Sequence, residues 1–170
     1  MAWTTPKTWE DGEIVDQDDL NTHIRDNLNY LKDRIDGDNA AQYATEVTAN
    51  TQAETWTDVD GTNLNLTITT NGGDVAITII GGAYNSGNLT RGVDIGVQVD
   101  GTTDYTIITR DNDFWGETGL GDSISCTYIL SGLAAGSHSF KLRFKRTGAG
   151  GTAYIEVYQF DVRETMGVVA

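Results

Sequence analysis

The stretch from Arg110 to Gly121 holds the side chains of this 170-residue sequence that are best suited to contact a ligand. It combines two aromatic residues with three carboxylates, at Asp111, Asp113, Phe114, Trp115 and Glu117. Aromatic faces stack on sugar rings, and carboxylates accept hydrogen bonds from hydroxyl groups. Two interpretations stay open: a loop that binds a sugar or a receptor, and a loop whose Phe114 and Trp115 close one end of a β-sandwich.

Residues for catalysis are scarce in the chain. The only histidines are His23 and His138, and the only cysteine is Cys126. Nucleophilic catalysis needs a base beside the nucleophile, and no such arrangement is visible. His23 and His138 are expected at a surface or an interface, and Cys126 is expected as a buried, unreactive thiol. We predict no catalytic residues and a protein that is not an enzyme; glycoside hydrolysis by paired carboxylates is weakly supported.

No cofactor or metal site is predicted either. The acidic stretches Asp36–Asn39 and Asp58–Gly61 hold closely spaced oxygens, but they lack the five ligand positions and the distal glutamate of an EF-hand. A single cysteine allows no intrachain disulfide and no cysteine-based zinc site. Solvated turns are the expected role of both stretches.

The composition limits the classes of partner that the chain is expected to bind. The formal charge is −14, with 25 acidic against 11 basic residues, which argues against binding to nucleic acid. The N-terminus lacks a basic start followed by an apolar run, and no apolar run is long enough to span a membrane. We therefore expect synthesis in a cytoplasm and no membrane partner.

The N-terminal residues predict an arm followed by one amphipathic helix. The arm carries Trp3, Pro6 and Trp9, and it either packs on its own domain or inserts into a neighbouring subunit. The helix begins near Asp16 or Asp18, whose carboxylates favour a helix N-terminus, and it ends at Gly37. One apolar stripe recurs at helical spacing: Leu20, Ile24, Leu28, Leu31 and Ile35. This stripe suits a short seam between chains or a contact with the β-domain.

From Trp56 onward the pattern changes to apolar alternation with a period of two. Eight or nine short strands are predicted, with turns at Asn71–Gly73 and Asp100–Gly101. The fold class is mainly β: an N-terminal arm and a single α-helix, followed by an antiparallel β-sandwich of jelly-roll type. The domains are residues 1–37 for attachment or oligomerisation, a connector at 38–55 with one weak strand near 45–50, and a β-sandwich at 56–170.

Four basic side chains lie close together near the end of this domain. Lys141, Arg143 and Lys145 alternate on one strand face, and Arg146 follows them. They either balance acids of their own domain or face carboxylates of a neighbouring protein.

The N-terminal block resembles the N-terminal segment of many tailed-bacteriophage virion proteins, among them minor tail, fibre and surface-decoration proteins. The resemblance covers about the first 35 residues, as Trp-x₅-Trp followed by Leu-Asn-Thr-His-Ile-Arg-Asp-Asn-Leu from Leu20 to Leu28 and by Leu31. It implies attachment or oligomerisation through Trp3, Trp9, Leu20, Asn21, Ile24, Arg25, Leu28, Leu31 and Ile35. The stretch from Gly132 to Phe140 resembles the turn before a late strand in phage jelly rolls, which commonly form trimers.

The resemblance implies a non-enzymatic structural component of a tailed-phage virion, made in the host cytoplasm. An outward-facing capsid decoration (cement) protein or a short head fibre is favoured, because 170 residues without a long shaft are few for a tail fibre. A tail-tip or tail-fibre protein that binds host surface glycan is the alternative. The expected partners are the chain itself, as a homotrimer, and other virion proteins of the capsid or the tail.

Overall fold

A computed structural model describes residues 5, 7–8, 10–14, 16–29, 40–87, 92–111 and 122–165. The chain divides into two compact units, Met1–Asp38 and Asn39–Ala170. We call them the N-terminal unit and the β-domain. Within the described ranges, no helix has both the length and the apolar character needed to cross a membrane.

The N-terminal unit contains the predicted helix start. Helix α1 spans Gln17–Leu20, and the Asp16 carboxylate caps it by accepting a hydrogen bond from Asp19 N at 2.8 Å. A π-helical segment, Asn21–Arg25, follows directly, and Asp26 N–H donates to the Asn21 carbonyl. Residues 26–29 are helical again, while the rest of the predicted helix and its end at Gly37 lie outside the described residues. The π-segment was not foreseen, because apolar spacing alone does not distinguish it from an α-helix.

The β-domain has eight described strands, all paired antiparallel. They are β1 Ala40–Tyr43, β2 Val47–Thr51, β3 Thr57–Asp58, β4 Asn65–Asn85, β5 Gly92–Val99, β6 Thr103–Asp111, β7 Asp122–Thr147 and β8 Ala153–Glu164. The order is β1-β8-β4-β7-β5-β6, with β2 also on β8 and β3 also on β7. The predicted antiparallel, sandwich-like β fold is confirmed.

Two long strands hold the domain together. β4 and β7 pair from Asn65 with Lys141 to Ala83 with Asp122. The second half of β4 also pairs with β8, and the second half of β7 also pairs with β5. The same two strands therefore run through both layers of the sandwich.

The turn predicted at Asn71–Gly73 and the turn that the resemblance implied within Gly132–Phe140 were wrong, because the strands continue through both. Asn71 pairs with Ala135 and Gly73 pairs with Leu133, and the register shifts between Gly73 and Val75. Glycines on both strands adopt positive φ here, at Gly72, Gly73, Gly132 and Gly136. Because glycine adopts a positive φ at little steric cost, the hydrogen-bonded ribbon bends here without ending.

The segment predicted as a connector supplies two strands of the β-domain. β1 pairs with β8 from Ala40 with Arg163, and β2 pairs with β8 from Val47 with Val157. Their alternate side chains pack against the core, at Ala41, Tyr43, Val47 and Ala49. Two of these four are alanines, so the apolar alternation was too weak to predict both strands; only the strand near residues 45–50 was foreseen.

The core draws on both layers. Its fully buried large side chains include Phe140, Leu142 and Phe144 from β7, Val93, Ile95 and Val97 from β5, and Val157, Phe160 and Val162 from β8. β5 and β8 are not neighbours in the sheet order, yet their side chains belong to one hydrophobic cluster. Burial of each such side chain contributes about 1.5–3 kcal/mol.

We expect Phe140→Ala to lower the free energy of unfolding of the β-domain by about 3–5 kcal/mol, because a buried ring is lost and a cavity remains. Ile129→Ala is the control, since Ile129 lies on the same strand with 47% of its surface exposed. Chemical denaturation should show a change below about 1 kcal/mol for this control. Equal losses in the two variants would contradict the assignment of the core.

Candidate functional site

The predicted attachment residues that the structure describes are exposed. Leu20, Ile24 and Leu28, which we call the apolar stripe, expose 45%, 46% and 60% of their surface. Asn21 is half-buried and Arg25 is exposed. The other predicted members, Trp3, Trp9, Leu31 and Ile35, lie outside the described residues.

Polar contacts within the N-terminal unit tie its arm to the start of the helix. The Lys7 ammonium contacts the carboxylates of Glu13 and Asp19, the latter at 3.2 Å. The hydrogen bond from Lys7 lowers the pKa of the Glu13 carboxyl group. Arg25 pairs with Asp26 at 2.8 Å. These charged groups find partners within the unit, whereas the apolar stripe is exposed.

The predicted ligand loop lies almost entirely outside the described residues. β6 ends at Asp111 and β7 begins at Asp122, so Asp113, Phe114, Trp115 and Glu117 fall between the described ranges. The role of this loop stays a prediction.

The basic side chains near the end of β7 pair with acids of their own domain. Arg143 Nη1 donates to Asp104 Oδ1 at 2.8 Å, and Arg143 Nη2 donates to the Trp56 carbonyl at 2.8 Å. Asp58 lies between Lys141 and Arg143, at 3.2 and 2.9 Å. The structure therefore supports the interpretation in which these basic side chains balance acids of their own domain.

The remaining two basic residues are held in the same way. Lys145 pairs with the buried Asp94 at 3.3 Å, and its ammonium lies 4.7 Å from the centre of the Trp56 ring. Arg146 pairs with Glu54 at 2.9 Å. The acidic partners come from distant parts of the sequence, so alternation on one strand gave no sign of them.

His138 joins the bend of β7 to the turn between β5 and β6. Its Nδ1 lies 2.8 Å from Asp100 Oδ2, and its Nε2 lies 2.9 Å from the Ala134 carbonyl oxygen. Asp100 Oδ1 also accepts from Ser139 N at 2.9 Å, and Asp100 has a left-handed φ of 52° in the predicted Asp100–Gly101 turn. Both ring nitrogens thus face acceptors, an environment that favours the protonated imidazolium.

The electrostatics of this pair follow from the geometry. The hydrogen bond to Asp100 raises the pKa of His138. Burial raises the pKa of Asp100, but hydrogen bonds from His138 and from Ser139 N outweigh it and leave that pKa lowered. His138 therefore makes a structural contact within the β-domain.

Cys126, which was expected to be buried, lies half-buried against the core.

Within the described ranges, no group of three or more His, Cys, Asp or Glu residues is placed to hold a metal ion. No protein-family model and no curated protein sequence matches the chain.

Several solved structures are similar to this chain. VP2 of infectious bursal disease virus, in its subviral particle, shares 14% identity over 78% of this chain with a TM-score of 0.45. This chain spans only 34% of that VP2 chain. A pentameric capsid protein isolated from metagenomic phage sequences shares 17% identity, over 93% of this chain and 82% of its own, with a TM-score of 0.31.

The exo-beta-1,3-galactanase of Phanerochaete chrysosporium is similar at 18% identity, over 72% of this chain and 29% of the enzyme, with a TM-score of 0.33. At these levels of similarity, function has to be argued from the residues of the chain itself.

We expect Arg143→Ala to destabilise the β-domain by about 1–3 kcal/mol, because Asp104 and the Trp56 carbonyl lose a charged donor in a partly buried setting. Lys141→Ala is the matched control. It removes an ion pair that is more exposed than that of Arg143, so the loss of unfolding free energy should be about 0–1 kcal/mol. Chemical denaturation at low and at high salt measures the loss of unfolding free energy in each variant. A loss of oligomer mass in Arg143→Ala, without loss of stability, would instead assign the residue to an interface.

The His138 contact predicts a pH dependence of stability. Because its pKa is raised, its contribution is fully present below the ordinary histidine pKa of about 6.5 and is lost as the pH rises through the raised value. The Asp100 contribution is present above the ordinary aspartate pKa and is lost as the pH falls through its lowered value.

Unfolding of the β-domain should therefore become easier as the pH rises above the ordinary histidine pKa of about 6.5, and His138→Gln should flatten that slope. His23→Gln is the control, since His23 is the only other histidine and lies in the other unit. Thermal denaturation across this pH range measures the slope. A slope that persists in His138→Gln would show that another group controls it.

Proposed function

We propose that this protein is a non-enzymatic structural component of a tailed-phage virion. The N-terminal unit attaches it, and the β-domain faces outward. The proposal joins the resemblance of the N-terminal block to the separation of the chain into two compact units.

The proposal rests mainly on the location of the exposed large apolar side chains. Among the described residues they are Ile14, Leu20, Ile24, Leu28, Ile129 and Tyr158, and the first four belong to the N-terminal unit. That unit supplies few residues, yet it holds most of these side chains. Clustered exposed apolar side chains mark sites of protein–protein contact. The same unit carries the resemblance to virion proteins, and both observations support attachment through it.

The charge of the chain suits display. The net charge of −14 of the whole chain favours solubility, and the four basic residues Lys141, Arg143, Lys145 and Arg146, the basic row, are all paired within the β-domain. The row is therefore a poor candidate for attachment, and the helix is the better one.

Within this function we favour a capsid decoration (cement) protein or a short head fibre. β1 begins at Ala40 and the last described helical residue is 29, so the sequence between these two described elements is residues 30–39. Ten residues leave no room for a long shaft between these elements. A homotrimer is the assembly we propose, by analogy with virion appendages that join a helix to a jelly roll.

We expect Leu28→Asp to reduce the oligomer mass measured by light scattering at micromolar concentration. A carboxylate at a buried seam must be desolvated in every chain, at a cost of several kcal/mol for each ion. Thr22→Asp is the control, because Thr22 is exposed on the same helix and lies outside the apolar stripe. An unchanged mass with a lowered melting temperature would show that the stripe packs within its own chain.

Electron microscopy of purified particles, with the chain tagged at its C-terminus, tests the location. We expect labels distributed over the head. Labels confined to the tail would contradict decoration and support a tail-fibre role, and particles without label would contradict a virion role altogether.

A further inference from the structure

A groove on the outer face of the β-domain combines aromatic and hydrogen-bonding side chains. Its volume is about 540 Å³, within the range of about 300–1,000 Å³ that is typical of small-molecule sites. It crosses β2, β8, β4 and the start of β7, and its polar and aromatic lining includes Thr48, Asn50, Tyr84, Ser123, Tyr154 and Glu156. None of these residues was singled out by the sequence.

The strand register sets these side chains in two neighbouring rows. In the first row Tyr84 lies opposite Tyr154, and their rings stack with centroids 4.7 Å apart and planes 10° from parallel. In the second row Glu156 lies opposite Gly82, which in turn lies opposite Ser123 on β7. A glycine beside a serine leaves a depression next to the two stacked rings.

A β-bulge places a third tyrosine at this depression. Ile80 pairs with Gln159 and Gly81 pairs with Val157, so Tyr158 has no partner on β4. The bulge needs glycine at position 81, because a Cβ there would collide with the Glu156 carbonyl. Tyr158 lines the groove and exposes 47% of its surface. Bulges commonly redirect a side chain beside a binding site.

The carboxylate of Glu156 lies beside Tyr158. A hydrogen bond with Glu156 raises the pKa of the Tyr158 hydroxyl group. On the other side, Thr48 on β2 lies directly opposite Glu156, and Asn50 lies opposite Tyr154. A carboxylate, a side-chain amide and hydroxyl groups thus surround three aromatic rings.

We infer that this groove binds a neutral saccharide. Tyrosine rings offer apolar surface to the C–H faces of a sugar, and the carboxylate, amide and hydroxyl groups supply acceptors and donors for its hydroxyls. Glu156 is the only charged side chain among the described residues of the lining, and the whole chain carries a charge of −14. Both features disfavour an anionic ligand such as a sialylated or sulfated glycan or a nucleic acid.

The groove and the proposed attachment surface belong to different units. Every described lining residue belongs to the β-domain, whereas the apolar stripe belongs to the N-terminal unit. Saccharide binding and assembly can therefore fail independently: loss of one in a variant leaves the other measurable.

The experiment screens the full-length protein on an array of neutral oligosaccharides, built from hexoses and N-acetylhexosamines, beside sialylated and sulfated ones. The neutral oligosaccharide with the strongest signal is then titrated by calorimetry into the parent and into Tyr158→Ala, Glu156→Gln and Ile129→Ala. We expect at least a tenfold loss of affinity in the first two variants. Ile129→Ala should bind like the parent, because Ile129 is equally exposed but does not line the groove.

Thermal denaturation and light scattering accompany each titration. Melting temperatures and oligomer masses like those of the parent, together with the expected losses, support the inference. It is overturned if no neutral oligosaccharide binds, if only acidic ones bind, or if both groove variants bind like the parent. It is also overturned if Tyr158→Ala lowers the oligomer mass, since the groove would then be a contact between chains.

Discussion

The pairing of β4 with β7 is the constraint on which the rest of the β-domain depends. These two strands are hydrogen-bonded from Asn65 with Lys141 to Ala83 with Asp122, and each enters both layers. Their bend, where Gly72 and Gly73 lie near Gly132, closes one layer over the other and buries Phe140, Phe144 and Phe160 between them. Non-local pairing of this length also predicts slow folding relative to helical domains of the same size.

Each surface feature of the β-domain derives from this ribbon. The second half of β7 carries the basic row, whose acidic partners lie on β3, β5 and β6 and, for Arg146, at Glu54 just before β3. The bend places His138 against the β5–β6 turn. The second half of β4 pairs with β8 around the bulge at Gly81, which opens the tyrosine groove. The N-terminal unit has a different character, because its helix carries exposed apolar residues.

The sequence predicted the parts of the fold that are encoded locally. The strands β5 and β8, the capping carboxylate of Asp16 and the Asp100–Gly101 turn were all predicted correctly. The bend was misread because glycines that end a hairpin and glycines that bend a continuous ribbon look alike until the opposite strand is known. The groove could not be predicted from the sequence. The pairing of β2 and β4 with β8 brings Asn50, Tyr84 and Tyr154 together, and these residues are up to about a hundred positions apart in the chain.

The central claim is that assembly belongs to the N-terminal unit and that the β-domain folds without it. Removal of residues 1–37, followed by light scattering and circular dichroism beside the full-length chain, tests this claim most directly. The predicted result is an oligomer for the full chain and a monomer with native β structure and a cooperative melt for the shortened one. A shortened chain that keeps the full oligomeric state, or one that does not fold, would contradict it.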